Sequence, residues 1–161
     1  GEGHSCDFLN LGSMGHASSV AFSLALENKH RKVVCFDGDA AALMHMGAFS
    51  MVSKYKLPNF LHIILNNGAH ESVGGQPSAG MDVDFTRIAQ GAGYHTIGHP
   101  VATKEEIIDS VKNLNKSGKA SLIDVRIKKG LNRDLPPLEI SSYFDLINGF
   151  IDEIKKDKED N

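Results

Sequence analysis

The sequence predicts an α/β fold, doubly wound, with a mostly parallel sheet and helices on both faces, and three observations carry that prediction. Residues 33–36 and 60–65 are short, near-continuous apolar runs of the kind shown by parallel strands buried on both faces. The stretch between them, residues 41–54, reads as one crossover helix. Each run ends in a turn of small or polar residues, Gly38-Asp39-Ala40-Ala41 after the first and Asn66-Asn67-Gly68 after the second. A strand, helix, strand unit returns both strand ends to one edge of the sheet, where open α/β sheets bind ligands.

The remaining elements follow in chain order. Residues 8–11 turn apolar soon after a loop-like start and are expected as a strand, closed by the turn at 12–15. Residues 16–27 place Ala17, Val20, Ala21, Leu24 and Ala25 at helical spacing, and these small residues imply close packing on the sheet. Pro58 separates the crossover helix from the strand that follows it. Residues 66–81 hold four glycines and one proline without a period, so they are expected as an irregular loop at the ligand edge. Asp82 is expected to open a helix that carries Phe85, Ile88 and Ala89, and residues 94–97 read as a further strand. Thr103 and Glu106 have the pattern of a capping box, ahead of a helix with Ile107, Ile108, Val111 and Leu114 facing inward. Residues 122–127 supply the last strand, and Pro136-Pro137 end the compact region. A tail helix over 141–156 sets Tyr143, Ile147, Phe150 and Ile154 along one side, a stripe suited to core or subunit packing. Residues 155–161 lack an apolar anchor and are expected to fray. The domain thus runs over 1–140, with 141–161 as its C-terminal helix and tail.

Bulk properties narrow the function. A chain of 161 residues fits one domain with a sizeable core and needs no disulfide. Its two cysteines, Cys6 and Cys35, read as reduced thiols of a cytoplasmic protein, Cys35 lying within an apolar strand. A net charge of -3 and the absence of a Lys/Arg stripe argue against nucleic acid. No apolar run approaches the length of a membrane span, and no signal segment opens the sequence. P-loop and dinucleotide motifs are missing, and Gly12-Ser13-Met14-Gly15 is not a nucleophile elbow, which requires Ser at the centre of Gly-x-Ser-x-Gly.

The chemistry concentrates at two positions. Asp39 and Asn67 lie 28 positions apart, each just beyond a strand, so one carboxylate and one amide oxygen converge on the same edge. Two hard oxygen ligands that leave room for phosphate oxygens and water suit Mg²⁺, which prefers an octahedral oxygen shell. Backbone N–H groups of the small residues around Asp39 could face a diphosphate. Taken singly, Asp39 reads first as a helix N-cap and Asn67 as an ordinary turn residue; the interval between them and the surrounding motifs reverse that reading.

Three separated motifs give these positions a family context. Gly12-Ser13-Met14-Gly15-His16-Ala17-Ser18-Ser19, then Gly38-Asp39-Ala40 with Ala42-Leu43-Met44-His45-Met46-Gly47, then Asn67-Gly68-Ala69-His70-Glu71-Ser72-Val73-Gly74-Gly75-Gln76-Pro77 follow one another in order. The pattern resembles the diphosphate-binding domain of thiamine diphosphate enzymes, within them the phosphonopyruvate decarboxylases, with sulfopyruvate decarboxylases as close relatives. Ala40 stands where that family usually has a second Gly. The resemblance implies a thiamine diphosphate-binding fold with thiamine diphosphate and Mg²⁺ as cofactors. It also implies Asp39, Asn67 and the Ala69 carbonyl as metal ligands. Cofactor contacts are implied from Gly12, Ser13, Met14, Gly38, Asp39, Ala40, Ala41, Asn67 and Ala69. In such enzymes a large apolar residue at the place of Met14 props the cofactor in its bent form, and the carbonyl of Gly12 meets the aminopyrimidine.

His70 and Glu71 are the candidate catalytic pair, since imidazole titrates near neutrality and a proton must be supplied during turnover. His16 and His45 lie near the same edge, and Ser72 and Gln76 could donate hydrogen bonds to an anionic substrate. The implied activity is decarboxylation of 3-phosphonopyruvate to phosphonoacetaldehyde and CO₂. Its alternatives are the β-type subunit of a sulfopyruvate decarboxylase or a non-catalytic partner domain. Only the diphosphate-binding half of the site is recognisable here. A pyrimidine-binding domain, in the same longer chain or a separate subunit, is therefore an expected partner beside the 2-oxoacid, as is a homo-oligomer.

Overall fold

The structure, a computed structural model, describes residues 6–130, 134 and 142–159, with side chains described as far as residue 156. Contacts divide the chain into two compact units, Gly12–Leu131 on the one hand and Gly1–Leu11 with Asn132–Asn161 on the other. In the larger unit, helix α1 (Ala17–Glu27) leads to strand β1 (Val33–Gly38). Helix α2 (Asp39–Met44), a 3₁₀ turn (Met46–Phe49) and helix α3 (Ser50–Tyr55) form the crossover to strand β2 (Phe60–Asn66). After a two-stranded hairpin, β3 (Ala69–His70) and β4 (Gln76–Pro77), come helices α4 (Phe85–Gly91) and α5 (Lys104–Asn115) and strand β5 (Ser121–Arg126).

The sheet is parallel in the order β1-β2-β5. On one face Cys35, Phe60, Ile64 and Leu122 pack with Ala21, Phe22 and Ala25 of α1, Phe49, Val52 of α3 and Phe85 and Ala89 of α4. On the other, Leu61, Ile63, Ile123 and Val125 meet Leu114 of α5, with Ile107 and Val111 packed against them. Helices therefore cover both faces, as the sequence predicts. Asn59 ties α1 to the start of β2, its amide donating to the carbonyls of Ala25, Asn28 and Arg31 at 2.9–3.0 Å.

Several local expectations are corrected. β1 is an edge strand covered on one face only, so Val34 (42%) and Phe36 (63%) are exposed and the strand alternates rather than being buried throughout. The crossover is interrupted, because His45 leaves helical geometry (φ -131°, ψ 40°) and Gly47, a poor helix former, follows in the 3₁₀ turn. The loop at 66–81 contains the β3–β4 hairpin, in which Ala69 pairs with Pro77 and His70 with Gln76. Asp84, not Asp82, caps α4, accepting the Arg87 N–H at 3.0 Å. Residues 94–97 make only an isolated bridge from His95 to Ser121. Ile108 is 41% exposed and lies off the inward face of α5.

In the smaller unit, residues 8–11 form no strand, and the Phe8 ring instead lies 5.2 Å from that of Phe150. Helix α6 (Tyr143–Glu159) continues through residues expected to fray. Pro136 and Pro137 lie outside the described residues.

The capping box is present in full. Glu106 Oε2 accepts the N–H groups of Ala102 (3.0 Å) and Thr103 (2.9 Å), while Glu106 N–H donates to Thr103 Oγ1 at 3.3 Å. These N–H donors, Ala102 first, hold the Glu106 carboxyl below its usual 4.5. A lowered carboxyl pKa stabilises the fold above the unfolded value and ceases to do so as pH falls through the folded one. Glu106→Gln should therefore lower Tm near neutral pH, and the gap from the parent should narrow as pH falls below about 4.5. Thermal scans across pH 3 to 7 (approximately the carboxylate range,) read this directly, and a gap constant with pH would contradict it.

Candidate functional site

Parallel register sets the two strand ends side by side. Gly38 pairs with Leu65, and Asn66 is the last residue of β2, so Asp39 and Asn67 are the first residues beyond neighbouring strands at one sheet edge. Asp39 is the first helical residue of α2, and the cap position belongs to the extended Gly38 (φ -81°, ψ 154°). Asp39 is only 2% exposed. A carboxylate so withdrawn from water needs a polar partner, and the Ser78 hydroxyl donates to its Oδ2. Gly80 N–H in turn donates to Ser78 Oγ at 3.1 Å, and Ser78 N–H donates to the Gly68 carbonyl at 3.0 Å. The Gly80 backbone comes so near that a Cβ there would lie 2.1 Å from Asp39 Oδ2.

The first motif closes on the same place. Gly15 has φ +87°, which favours glycine, and a Cβ on it would lie 2.9 Å from the Ala41 carbonyl and 2.4 Å from His45 Nδ1. The His16 and His45 rings stand 4.0 Å apart. The turn at 12–15 is thus pressed on the start of α2, while Ser78 and Gly80 press on Asp39. The first motif and the loop at 66–80 thus meet the second around residues 39–41. Gly12, Ser13 and Met14 are exposed on this turn, and Met14 at 41% has no core packing to occupy it. Ala40 is buried and Ala41 half-buried on α2, both without positive φ.

Around Asn67, its Oδ1 accepts the Ala69 N–H at 3.0 Å, so the amide oxygen and the Ala69 backbone are adjacent. Ala69 is buried. His70 ends β3, and its carbonyl accepts the Gly75 N–H at 2.9 Å. Glu71 Oε1 accepts the Gly130 N–H at 2.9 Å, which directs this carboxylate to the segment after β5. Ser72 and Gln76 are exposed.

Sequence reasoning missed the residues beneath this loop. Asn66 is fully buried; its Nδ2 donates to the Gly80 carbonyl at 2.8 Å and to Asp124 Oδ1 at 3.3 Å, and its Oδ1 accepts the Gly68 N–H at 3.2 Å. Arg126 Nη2 pairs with Asp124 Oδ2 at 3.0 Å, and its Nη1 donates to the Gly80 carbonyl at 3.3 Å. Burial pushes the Asp124 carboxyl up, and the Arg126 charge and the Asn66 amide oppose the rise. Asp124 and Arg126 follow an alternating strand pattern in β5 that could have marked them as facing the Asn66 side. Ser78 and Gly80 carried no periodic signal.

Among the described residues one further cluster of possible metal donors occurs, Cys35, Asp37 and His62, with ligand atoms within 4.8 Å of one another. It lies inside the core. His62 Nε2 is 3.3 Å from Asp37 Oδ2, and the Phe49 ring packs edge-on to His62 at 5.3 Å. Burial, and then the Asp37 charge, push the Cys35 thiol up to about 12, so it is a neutral thiol at physiological pH.

The donors at the sheet edge fit a divalent cation with a diphosphate: a desolvated carboxylate, an amide oxygen and a backbone segment of small residues, all hard oxygen or N–H groups. Such a donor set is the kind a diphosphate-binding α/β domain carries at this edge. The family of thiamine pyrophosphate enzymes, C-terminal TPP binding domain, matches residues 3–125, and the chain belongs to it. Among its relatives is a phosphonopyruvate decarboxylase of Streptomyces hygroscopicus, 32% identical over 76% of this chain and 30% of that protein. The sulfopyruvate decarboxylase subunit beta of Methanocaldococcus jannaschii is 33% identical over 86% of this chain and 74% of its own length. The chain spans about 30% of the phosphonopyruvate decarboxylases it matches. A solved thiamine diphosphate-dependent 4-hydroxybenzoylformate decarboxylase of Rhodococcus jostii superposes with TM-score 0.60 at 25% identity, over 71% of this chain and 23% of that one.

The close approach at Gly80 has a direct consequence. Gly80→Ala must displace either the loop or the Asp39 carboxylate, at a cost of about 1–3 kcal/mol in urea unfolding. Gly47→Ala, where a Cβ meets nothing within 4 Å and φ is not positive, is the matched control and should be near neutral. Equal effects at the two positions would contradict the packing described.

Proposed function

We propose that this chain supplies the diphosphate- and Mg²⁺-binding half of the active site of a thiamine diphosphate-dependent decarboxylase acting on 3-phosphonopyruvate. The observation that supports it is the meeting of the turn at 12–15, the start of α2 and the loop at 66–80 around one buried carboxylate. In this reading Asp39, the Asn67 amide oxygen and the Ala69 carbonyl hold Mg²⁺. Gly38, Ala40 and Ala41 line the diphosphate, their small size leaving room for close backbone approach. Gly12, Ser13 and Met14 face the rest of the cofactor, with the Met14 side chain as an apolar prop. When bound, thiamine diphosphate supplies the electron sink that a 2-oxoacid needs to lose CO₂. His70 and Glu71 are the groups of this chain assigned to proton handling, Glu71 being anchored by the Gly130 N–H.

A second reading has its own support. The sulfopyruvate decarboxylase β subunits of Methanocaldococcus jannaschii and Methanococcus maripaludis match at 33% and 32% identity, level with the phosphonopyruvate decarboxylases at 31% and 32%. The two acids share the 2-oxo group and differ in the anionic end, phosphonate or sulfonate. A subunit named β also favours a separate pyrimidine-binding partner, without which this chain should bind the cofactor weakly and turn nothing over.

Two measurements test the reading. Release of CO₂ from each acid should require both this chain and a pyrimidine-binding domain, with at least tenfold preference for phosphonopyruvate. The reverse preference selects the sulfonate reading, and full turnover by the isolated chain rejects the half-site. In the complete assembly, Asp39→Ala should remove Mg²⁺-dependent thiamine diphosphate binding by calorimetry, and an unchanged affinity would overturn the ligand assignment.

A further inference from the structure

We infer that Ser78 is a positioning residue for the cation site, holding the Asp39 carboxylate by one oxygen so that the other is presented to the metal. This rests on the Mg²⁺ reading of Asp39 above and adds to it a residue that lies outside the matched motifs. A metal-bound carboxylate usually carries a hydrogen bond from a neighbouring group, and that group fixes its orientation. Ser78 Oγ donates to Asp39 Oδ2, and the geometry around Ser78 leaves it little freedom. Its oxygen also accepts the Gly80 N–H at 3.1 Å, which directs the hydroxyl hydrogen away from Gly80 and to the carboxylate. Its backbone N–H is taken by the Gly68 carbonyl at 3.0 Å, one residue from Asn67. The same short segment thus spans both side-chain ligands of the proposed site.

What keeps that segment in place is the buried set below it. The Gly80 carbonyl accepts from Asn66 Nδ2 at 2.8 Å and from Arg126 Nη1 at 3.3 Å, and Asp124 holds both donors, Asn66 at 3.3 Å and Arg126 at 3.0 Å. Gly80 must lack a side chain because Asp39 fills the space. The hydroxyl is therefore delivered to the carboxylate by a loop pinned two residues away to the ends of β2 and β5. A serine placed there by chance on a free loop would have no such anchor.

The test is cation binding, not turnover. The assembly is purified from its source cells through a tag on this chain, and free Mn²⁺ is followed by electron paramagnetic resonance with thiamine diphosphate saturating. Ser78→Ala should weaken Mn²⁺ binding by at least about tenfold, as loss of a group that orients a metal ligand does. Ser78→Thr, which keeps the hydroxyl, should stay within about threefold of the parent. An alanine variant with parental Mn²⁺ affinity overturns the inference, and so does equal weakening by alanine and threonine, which would assign the effect to loop packing. Asp39→Ala measured alongside separates the two levels. Loss of binding there with a normal Ser78→Ala sinks the Ser78 role alone, whereas retention of binding in Asp39→Ala sinks the site reading with it.

Discussion

The hydrogen bond from Ser78 to the carboxylate of Asp39 is the interaction around which the sheet edge at the end of β1 is arranged. Asp39 has been taken almost fully out of water, and an ionised carboxylate in that position is tolerated only with a polar partner. Its place is fixed from three directions. The register of β1 with β2 brings the strand end to the edge, Gly15 presses on the first turn of α2, and Gly80 closes the opposite side. The last two approaches depend on residues without a side chain, Gly15 and Gly80, so backbone confines the start of α2 on both sides.

Beneath the loop, Asn66, Asp124 and Arg126 form a polar network within an otherwise apolar sheet. A buried ion pair is weak support for stability, because the desolvation of two charges offsets their attraction. Here the balance is visible in Asp124, whose carboxyl is raised by burial and pulled back by Arg126 and Asn66. The network's clearest effect is geometric: two donors converge on the single carbonyl of Gly80 and specify one position for the loop. Arg126 is consumed by this task. Its charge is matched within the chain and is not a free cation at the sheet edge.

The fold was legible where periodicity and composition agree. The apolar runs at β1, β2 and β5, Pro58 ahead of β2, and the Thr103–Glu106 box were readable because each is a local rule that the tertiary structure does not override. Residues 8–11 misled, since their apolar character serves a ring contact between Phe8 and Phe150 rather than a ladder. Val34 and Phe36 misled differently: an apolar run reports strand character but not whether both faces are covered, and β1 lies at the edge. In the site, Asp39 and Asn67 were visible because their spacing spans one crossover. Ser78, Gly80, Asn66, Asp124 and Arg126 were not, because their roles depend on which carbonyl or carboxylate a loop returns to, and no local pattern encodes that return.

Ala40 shows how a departure from a motif can be read physically. A glycine beside Asp39 would be required if the backbone there took a positive φ, yet position 40 is the second residue of a regular helix and carries its Cβ buried, without positive φ. Ala favours helix over Gly by about 1 kcal/mol, partly because the unfolded chain has fewer conformations to lose. That matters for α2, which has 6 residues and is far too short to be stable by its own propensity. The interruption at His45 and Gly47 prevents support from a longer helix, so α2 must hold its first turn through Gly15, Gly80 and its own composition. The alanine run at 40–42 supplies that composition while keeping the surface beside Asp39 small. The methyl group at position 40 is therefore consistent with a rigid first turn of α2 beside Asp39.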